Sequence, residues 1–553
     1  MEKQGMKDWI VPGAIVVSLY LKWCLGLGSH SGKNSPPLFG DYEAQRHWME
    51  ITNHLPVKQW YTYDLQYWGL DYPPLTAYHS WLCGLIGSWL NPSWFSLDDS
   101  RGLETSSSQV YMRSTALASD TLIYLPAVLM FVKTWHVSRS RRTQNLALLT
   151  LLFQPALLLI DFGHFQFNSV MLSFTLLSLN FLASGNDILG AVFFVLSLGF
   201  KQMALYYAPA VGSYLVAKCI HLGPAEGSRL FLRLALTTVM AFVLLFAPFL
   251  PPFSPLSTVL HPITRIFPFD RGLFEDKVSN FWCASNVVLK WKNIASPGLL
   301  VKISTVFTAL GFAPGVTLLL RTGFQQRAAS GKPEHKASPR TSPMLPLLVY
   351  VLLTSSLSFF LFSFQVHEKS ILLPLLPMTL LMSSSAPTSS TFLWGALMNN
   401  MAMFSMWPLL KRDGLGVQYL VMLALWNRLL GYNPFAQPKR KLIHLLSAAA
   451  NTSAIVIHAM ELLFSPPARY PDLYPVLNVL VTTPVFGFCL LWSIKSTVQI
   501  AWALQGPGTT LKREGAGLEP KAATSDKQLD KITVRPPLPE SFRSQEEEKD
   551  RTS

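Results

Sequence analysis

The chain has 553 residues, half of them hydrophobic, 12% aromatic and only 14% charged. Soluble domains carry about 25% charge, and a soluble chain of this length would divide into several domains joined by polar linkers. A disordered chain, a disulfide-rich secreted module and an ordinary cytosolic enzyme are therefore excluded. The net charge of +14 does not point to nucleic acid, because the basic residues come in short bursts between apolar stretches, as at Arg139, Arg141 and Arg142. That is the pattern of a polytopic membrane protein, with lipids rather than nucleic acid as its surroundings. The five cysteines, Cys24, Cys83, Cys219, Cys283 and Cys489, lack metal-ligand spacing and read as free thiols. Cys83 and Cys283 are the one pair that an oxidising compartment could join.

Stretches of about 20 mostly apolar residues are needed to cross a bilayer. Candidates lie near 9–28, 111–132, 145–160, 167–184, 188–203, 205–220, 230–250, 298–320, 344–363, 371–385, 391–410, 415–431, 442–464 and 473–503, which predicts about fourteen spans. The first lacks a small-residue cleavage site and reads as a signal anchor. With a cytoplasmic N-terminus, the basic loops after spans two, six, eight and twelve all fall on the cytoplasmic side, as does the C-terminus. Lys411 and Arg412, beside Asp413, are the exception and land on the opposite face. Residues 321–343 read as a flexible Ser- and Pro-rich loop, and 506–553 as a disordered, charge-mixed cytoplasmic tail after a membrane domain spanning 1–505.

The non-cytoplasmic face holds the unusual polar residues. It receives a long loop, 29–110, and a medium one, 251–297. Eight Trp and Tyr residues between Trp48 and Tyr78 argue that the long loop is ordered. A helix is predicted from Asp41, and amphipathic interfacial helices over 59–95. Asp41 follows Gly40 at that helix start, so it reads either as an N-cap or as a general base held near the membrane. Asp71, before Pro73 and Pro74, reads as a turn former or an acceptor-positioning carboxylate. In 161–168, His164 and Gln166 are polar groups among apolar ones, and one such His makes a weak metal site. In 364–370, His367, Glu368 and Lys369 stand in a row at a membrane edge, where charge is costly and usually functional. His367 and Lys369 suit a phosphate, as do Arg271 and Lys277 in the medium loop. Acidic and phosphate-suited groups on one face favour an enzyme acting on a lipid-linked substrate. A transporter is the alternative, but it would place polar residues near the midplane and often shows internal repeats.

Several long motifs carry a family resemblance. They are Pro-Pro-Leu-Phe-Gly-Asp-Tyr-Glu-Ala-Gln-Arg-His-Trp-Met-Glu-Ile-Thr (36–52), Leu-Gln-Tyr-Trp-Gly-Leu-Asp-Tyr-Pro-Pro-Leu-Thr-Ala (65–77), Gly-His-Phe-Gln-Phe-Asn (163–168), Arg-Gly-Leu-Phe-Glu-Asp-Lys-Val (271–278) and Phe-Ser-Phe-Gln-Val-His-Glu-Lys-Ser-Ile-Leu (362–372). Over about residues 9–500 the chain resembles the dolichyl-phosphate-glucose-dependent glucosyltransferases of the endoplasmic reticulum, all-α membrane enzymes of the GT-C fold. The resemblance implies an ER membrane protein with a lumenal active site. It also implies transfer of the first glucose from dolichyl phosphate glucose, in α-1,3 linkage, onto dolichyl-pyrophosphate Man9GlcNAc2. The sister activity that adds the second glucose is the alternative. The β-linked donor and α-linked product imply one inverting displacement. Asp41 matches the family's first-loop base. His367, Lys369 and Arg271 become the candidates for the leaving phosphate. Asp71, Glu43, Arg46, His164, Gln166 and Gln365 become candidates for positioning base or acceptor. The resemblance also implies catalysis without a metal or other cofactor, and no paired carboxylates at metal spacing speak against that.

Overall fold

A segment inside a bilayer must satisfy its backbone hydrogen bonds internally, and an apolar helix does so. The computed structural model describes residues 8–267, 277–329, 342–435 and 442–505; Arg271 and the 506–553 tail lie outside them. Among the described residues every regular element is helical. Among the described residues seven helices are long and apolar enough to cross a membrane: Ser106–Trp135, Arg141–Phe165, Gln202–Phe249, Pro297–Ala328, Leu345–Phe362, Leu442–Leu463 and Leu473–Leu504. Shorter apolar helices cover Ile10–Gly26 (α1), Asn168–Ala183 and Asp187–Phe200. The chain is thus a polytopic membrane protein.

Two features explain why helix count and the expected span count differ. The helix Ala208–Phe246 is broken at Gly223, whose φ of 85° only glycine adopts readily, just before Pro224. A Cβ on Gly227 would lie 2.0 Å from the Cys219 carbonyl oxygen. Residues eight apart in a straight helix would be about 12 Å apart, so the chain folds back and forms two arms, as the separate segments 205–220 and 230–250 anticipate. Elsewhere the apolar runs near 371–385, 391–410 and 415–431 form helices of 12, 16 and 15 residues, Leu372–Ser383, Ser390–Ser405 and Gly416–Leu430. One sequence expectation is corrected. The part of the foreseen 321–343 loop up to Ala329 is helical, as the end of the helix that starts at Pro297, and 330–341 lie outside the described residues. Arg327 in its last turn complements the helix dipole, and Gln326 donates to the Leu504 carbonyl at 2.6 Å.

Two pairs of buried opposite charges lie inside the bundle, where a low dielectric favours pairing. Lys22 pairs with Asp120, and Lys218 with Asp187 at 2.7 Å. The long loop is ordered, as its aromatic content predicts. It forms helices Gly40–His54 (α2) and Pro74–Leu90 (α3), packed together over a core of Trp48, Ile51, Trp60, Tyr61 and Phe249. The other face of α3 exposes Trp81, Leu82, Ile86 and Trp89, the composition of a helix lying at a membrane interface. A fourth helix, Ser106–Ser119 (α4), returns the chain to the bundle.

Candidate functional site

The two readings of Asp41 separate in the structure. Phe39, not Asp41, occupies the N-cap of α2, and no side chain caps the helix. The Asp41 carboxylate instead points across to other segments. Its backbone is fixed by a tight crossing of the chain with itself. Gly32 and Gly40 have φ of 73° and 65°, and a Cβ on Gly32 would sit 2.1 Å from the Phe39 carbonyl carbon. Only glycine fits there. Ser31 completes the link: its hydroxyl accepts from the Asp41 N–H at 3.1 Å, and its own N–H donates to the His164 carbonyl at 3.0 Å.

His164 and Gln166 come from the turn that ends the second long span. Residues Leu159–Phe165 form a widened, π-helical turn, which leaves carbonyls free. Arg113 of α4, buried, donates to the carbonyls of Phe162 (2.6 Å), Gly163 (3.0 Å) and Ser29 (3.0 Å). One guanidinium therefore holds the His164 turn and the start of the Asp41 loop together. Within this frame Gln166 donates to Asp41 Oδ2 at 2.7 Å, and His164 Nε2 lies 2.9 Å from the same oxygen. The third partner of that oxygen is Lys369 Nζ, which also lies 3.2 Å from His164 Nε2. Burial alone would raise the Asp41 pKa, but the Lys369 charge and the hydrogen bonds the carboxylate accepts outweigh it and hold the carboxyl well below its usual range.

Two further residues complete the cluster. Lys201, buried just after the helix Asp187–Phe200, donates to Gln166 Oε1 and Asn168 Oδ1, both at 2.8 Å. This fixes which end of the Gln166 amide faces Asp41. Asn168 in turn donates to Asp161 at 2.9 Å, and the Tyr72 ring lies 4.7 Å from the Lys201 ammonium. On the other side, His164 Nδ1 is 2.5 Å from Asp413 Oδ2. The 411–413 exception to the charge rule is therefore on the site face for a reason: Asp413 meets His164, and Lys411 pairs with Glu461 at 2.9 Å.

The remaining nominated residues divide. Asp71 is next to the site: its main-chain carbonyl accepts from Gln202 at 3.4 Å, its loop is held by Arg265 to the Gly69 carbonyl at 3.3 Å, and Tyr72 follows it against Lys201. Glu43 and Arg46 instead form a closed, buried network. Arg46 donates to Glu43 at 2.6 and 2.7 Å, to Glu50 at 2.8 Å and to Ser100 at 2.6 Å. Burial opposes the ionisation of Glu50, yet His47 and Arg46 bring it down to about 2. This network ties α2 to the 94–100 segment and so supports the helix that carries Asp41. Gln365 turns the chain in a left-handed conformation (φ 58°), and His367 precedes the short turn Glu368–Ile371 that delivers Lys369. Arg271 falls outside the described residues. Cys24, Cys83, Cys219 and Cys489 are free thiols. Among the described residues no group of three or more His, Cys, Asp and Glu is arranged to hold a metal ion.

Chemically, the cluster offers a carboxylate for proton removal, beside a cation for a developing negative charge, at one end of a membrane bundle. Comparison with known proteins places the chain in a family. Residues 18–493 match the ALG6, ALG8 glycosyltransferase family. The chain is 44% identical to the dolichyl pyrophosphate Man9GlcNAc2 alpha-1,3-glucosyltransferase of Saccharomyces cerevisiae, over 89% of this chain and 91% of the relative. It is 41% identical to the probable enzyme of that name from Schizosaccharomyces pombe, over 89% and 92%. It is 38% identical to that from Gallus gallus, over 89% and 99%.

Proposed function

The chain belongs to the ALG6, ALG8 glycosyltransferase family, and on that premise we propose that it transfers the first glucose, in α-1,3 linkage, from dolichyl phosphate glucose to dolichyl-pyrophosphate Man9GlcNAc2. The names of its relatives support the acceptor and linkage. The observation that carries the chemistry is the meeting of Asp41, His164, Gln166 and Lys369, from three distant segments, on one carboxylate oxygen. The reaction lies on the lumenal face of the ER membrane, with both termini cytoplasmic, a reading supported by the basic loops on the other side.

Asp41 takes the proton of the acceptor hydroxyl as the new bond forms at the anomeric carbon and the bond to the phosphate breaks on the opposite face, inverting the centre. His164 and Gln166 hold the carboxylate in place. Lys369, with His367 beside it and Arg271 as a further candidate, meets the leaving phosphate. Lys369 links the two substrates. The donor's phosphodiester competes with Asp41 for the ammonium, so donor binding weakens the grip that keeps Asp41 a poor base. The protein's own cations supply the charge compensation, and the reading includes transfer without a divalent metal.

The test is direct. Purified protein in lipid discs is given dolichyl phosphate glucose and unglucosylated acceptor, with and without EDTA. One added hexose from wild type, unaffected by EDTA and absent in Asp41→Asn, is the expected result. Transfer only to the monoglucosylated acceptor would identify the sister activity instead. Full activity of Asp41→Asn would remove it as the base.

A further inference from the structure

The His164 ring has a carboxylate at each nitrogen: Asp413 Oδ2 2.5 Å from Nδ1 and Asp41 Oδ2 2.9 Å from Nε2. Both His164 and Asp413 are buried, at 1% and 4% exposure. A neutral imidazole carries one N–H, and an ionised carboxylate only accepts. A neutral His164 that gives its Nδ1 proton to Asp413 turns the Nε2 lone pair toward Asp41 and Lys369. Lys369, 3.2 Å from Nε2 and bonded to Asp41 Oδ2, supplies the proton that keeps these two acceptors compatible.

We propose that Asp413 is a positioning residue for the transfer reaction: it fixes the His164 tautomer whose Nε2 shares the proton that Asp41 removes from the acceptor hydroxyl. The inference rests on Asp41 being the base. In the balanced step the acceptor O–H breaks, its oxygen bonds to the anomeric carbon, and the bond to phosphate leaves with its electron pair on dolichyl phosphate. The proton passes to Asp41 Oδ2 and on to His164 Nε2. The resulting imidazolium lies between two carboxylates, and its proton returns to water through the part of Asp41 that remains exposed.

The site is built for such a hold. Asp413 sits in the turn after the helix Trp407–Arg412. That turn is pinned on one side by Lys411 and Trp407, both on Glu461 at 2.9 and 2.6 Å. On the other side Leu415 packs onto the backbone of Gly163, where a Cβ would lie 2.9 Å from the leucine. The charged and titratable groups around the His164 turn include Asp41 from α2, Lys369, Asp413, Arg113 from α4, Asp161 within the turn, Lys201, His30, and the Lys22–Asp120 pair against Phe162. Of these, Asp41, Lys369 and Asp413 reach the ring nitrogens.

The test uses the full chain in lipid discs with both lipid-linked substrates. Asp413→Asn replaces the anionic acceptor at Nδ1 with a neutral amide whose N–H can also donate there, so the tautomer that turns the Nε2 lone pair to Asp41 is no longer enforced. The expected loss in kcat is about 10²-fold or more, with KM for both substrates within about twofold, by the logic of a mis-set tautomer. Asp413→Glu, which keeps a carboxylate, recovers much of the rate. The double variant Asp413→Asn with His164→Gln is no slower than His164→Gln alone, because the two residues act as one unit. Wild-type kcat in Asp413→Asn, or in His164→Gln, overturns the proposal, and the second result does so however Asp413→Asn folds. An added loss in the double variant also overturns it, since that would mark a separate structural role. If Asp41→Asn stays active, the failure belongs to the base assignment itself.

Discussion

Replacing Lys369 by Met isolates the charge that the site turns on. Met keeps the length and apolar stem of the side chain and removes the ammonium. Lys369 is 23% exposed and lies within the short turn Glu368–Ile371, so the thermal midpoint should stay close to that of wild type. In the reaction it is the cation seen on the base itself, while Lys201 is committed to Gln166 and Asn168. Losing one such preorganised donor costs about 2.7–4 kcal/mol, or 10²–10³ in kcat. The pH profile must move as well. Burial pushes the Asp41 pKa up, but Lys369 overcomes it and holds the carboxyl well below its usual range. With the ammonium gone its pKa rises, so the base stays protonated to higher pH and the acid limb of kcat/KM shifts upward. Initial rates of hexose addition by mass spectrometry, across an acid-to-neutral pH series, measure both effects. A kcat within about threefold of wild type, or an acid limb that does not move, would refute the reasoning.

Three other substitutions separate support from chemistry. Arg46→Met leaves Glu43 and Glu50 buried without their cation and should cost about 3–5 kcal/mol of stability, read as a fall in thermal midpoint that Glu43→Gln and Glu50→Gln partly restore; an unchanged midpoint would deny the network its role. Gly32→Ala forces apart the crossing that aims Asp41, and a displacement near 1 Å should lower kcat about 10²-fold, whereas wild-type turnover would show that the crossing is slack. Lys201→Met breaks the bond that orients the Gln166 amide, worth about 1.5–3 kcal/mol or roughly ten- to a hundredfold in kcat, and an unaffected rate would place Gln166 outside the reaction.

The residues that sequence nominated from separate segments were legible because each broke a local rule. Asp41 stood beside a helix start, His164 and Gln166 interrupted an apolar run, and Lys369 lay at a membrane edge. Their meeting point was not legible, because nothing local in the chain encodes contacts 123 to 328 residues apart. For the same reason Lys201, Arg113 and Asp413 escaped notice. A lone lysine at the end of an apolar helix did carry a signal, since unpaired charge at that depth is expensive. Asp413 was visible only as the neighbour of two basic residues on an unexpected face. Glu43 and Arg46 illustrate the reverse. Their proximity to Asp41 in sequence suggests a shared task, but α2 turns them toward each other and the 94–100 segment. The lengths of the helices were the least legible feature, since a broken helix such as Ala208–Phe246 and a span interrupted by a π-helical turn read alike as apolar runs.

The wide separation of the site's parts along the chain also has a temporal meaning. Asp41 enters the membrane early, with the first loop, yet its ammonium partner lies 328 residues later. At about 5–20 residues per second, ribosomes need roughly 15–65 s to cover that distance. During this interval the carboxylate has its helix and its Ser31 anchor but not its counter-charge. Asp413 arrives later still, so the cluster closes only when most of the bundle has been inserted. A chain that stops short of Lys369 has the carboxylate of the site without the cation that pairs with it.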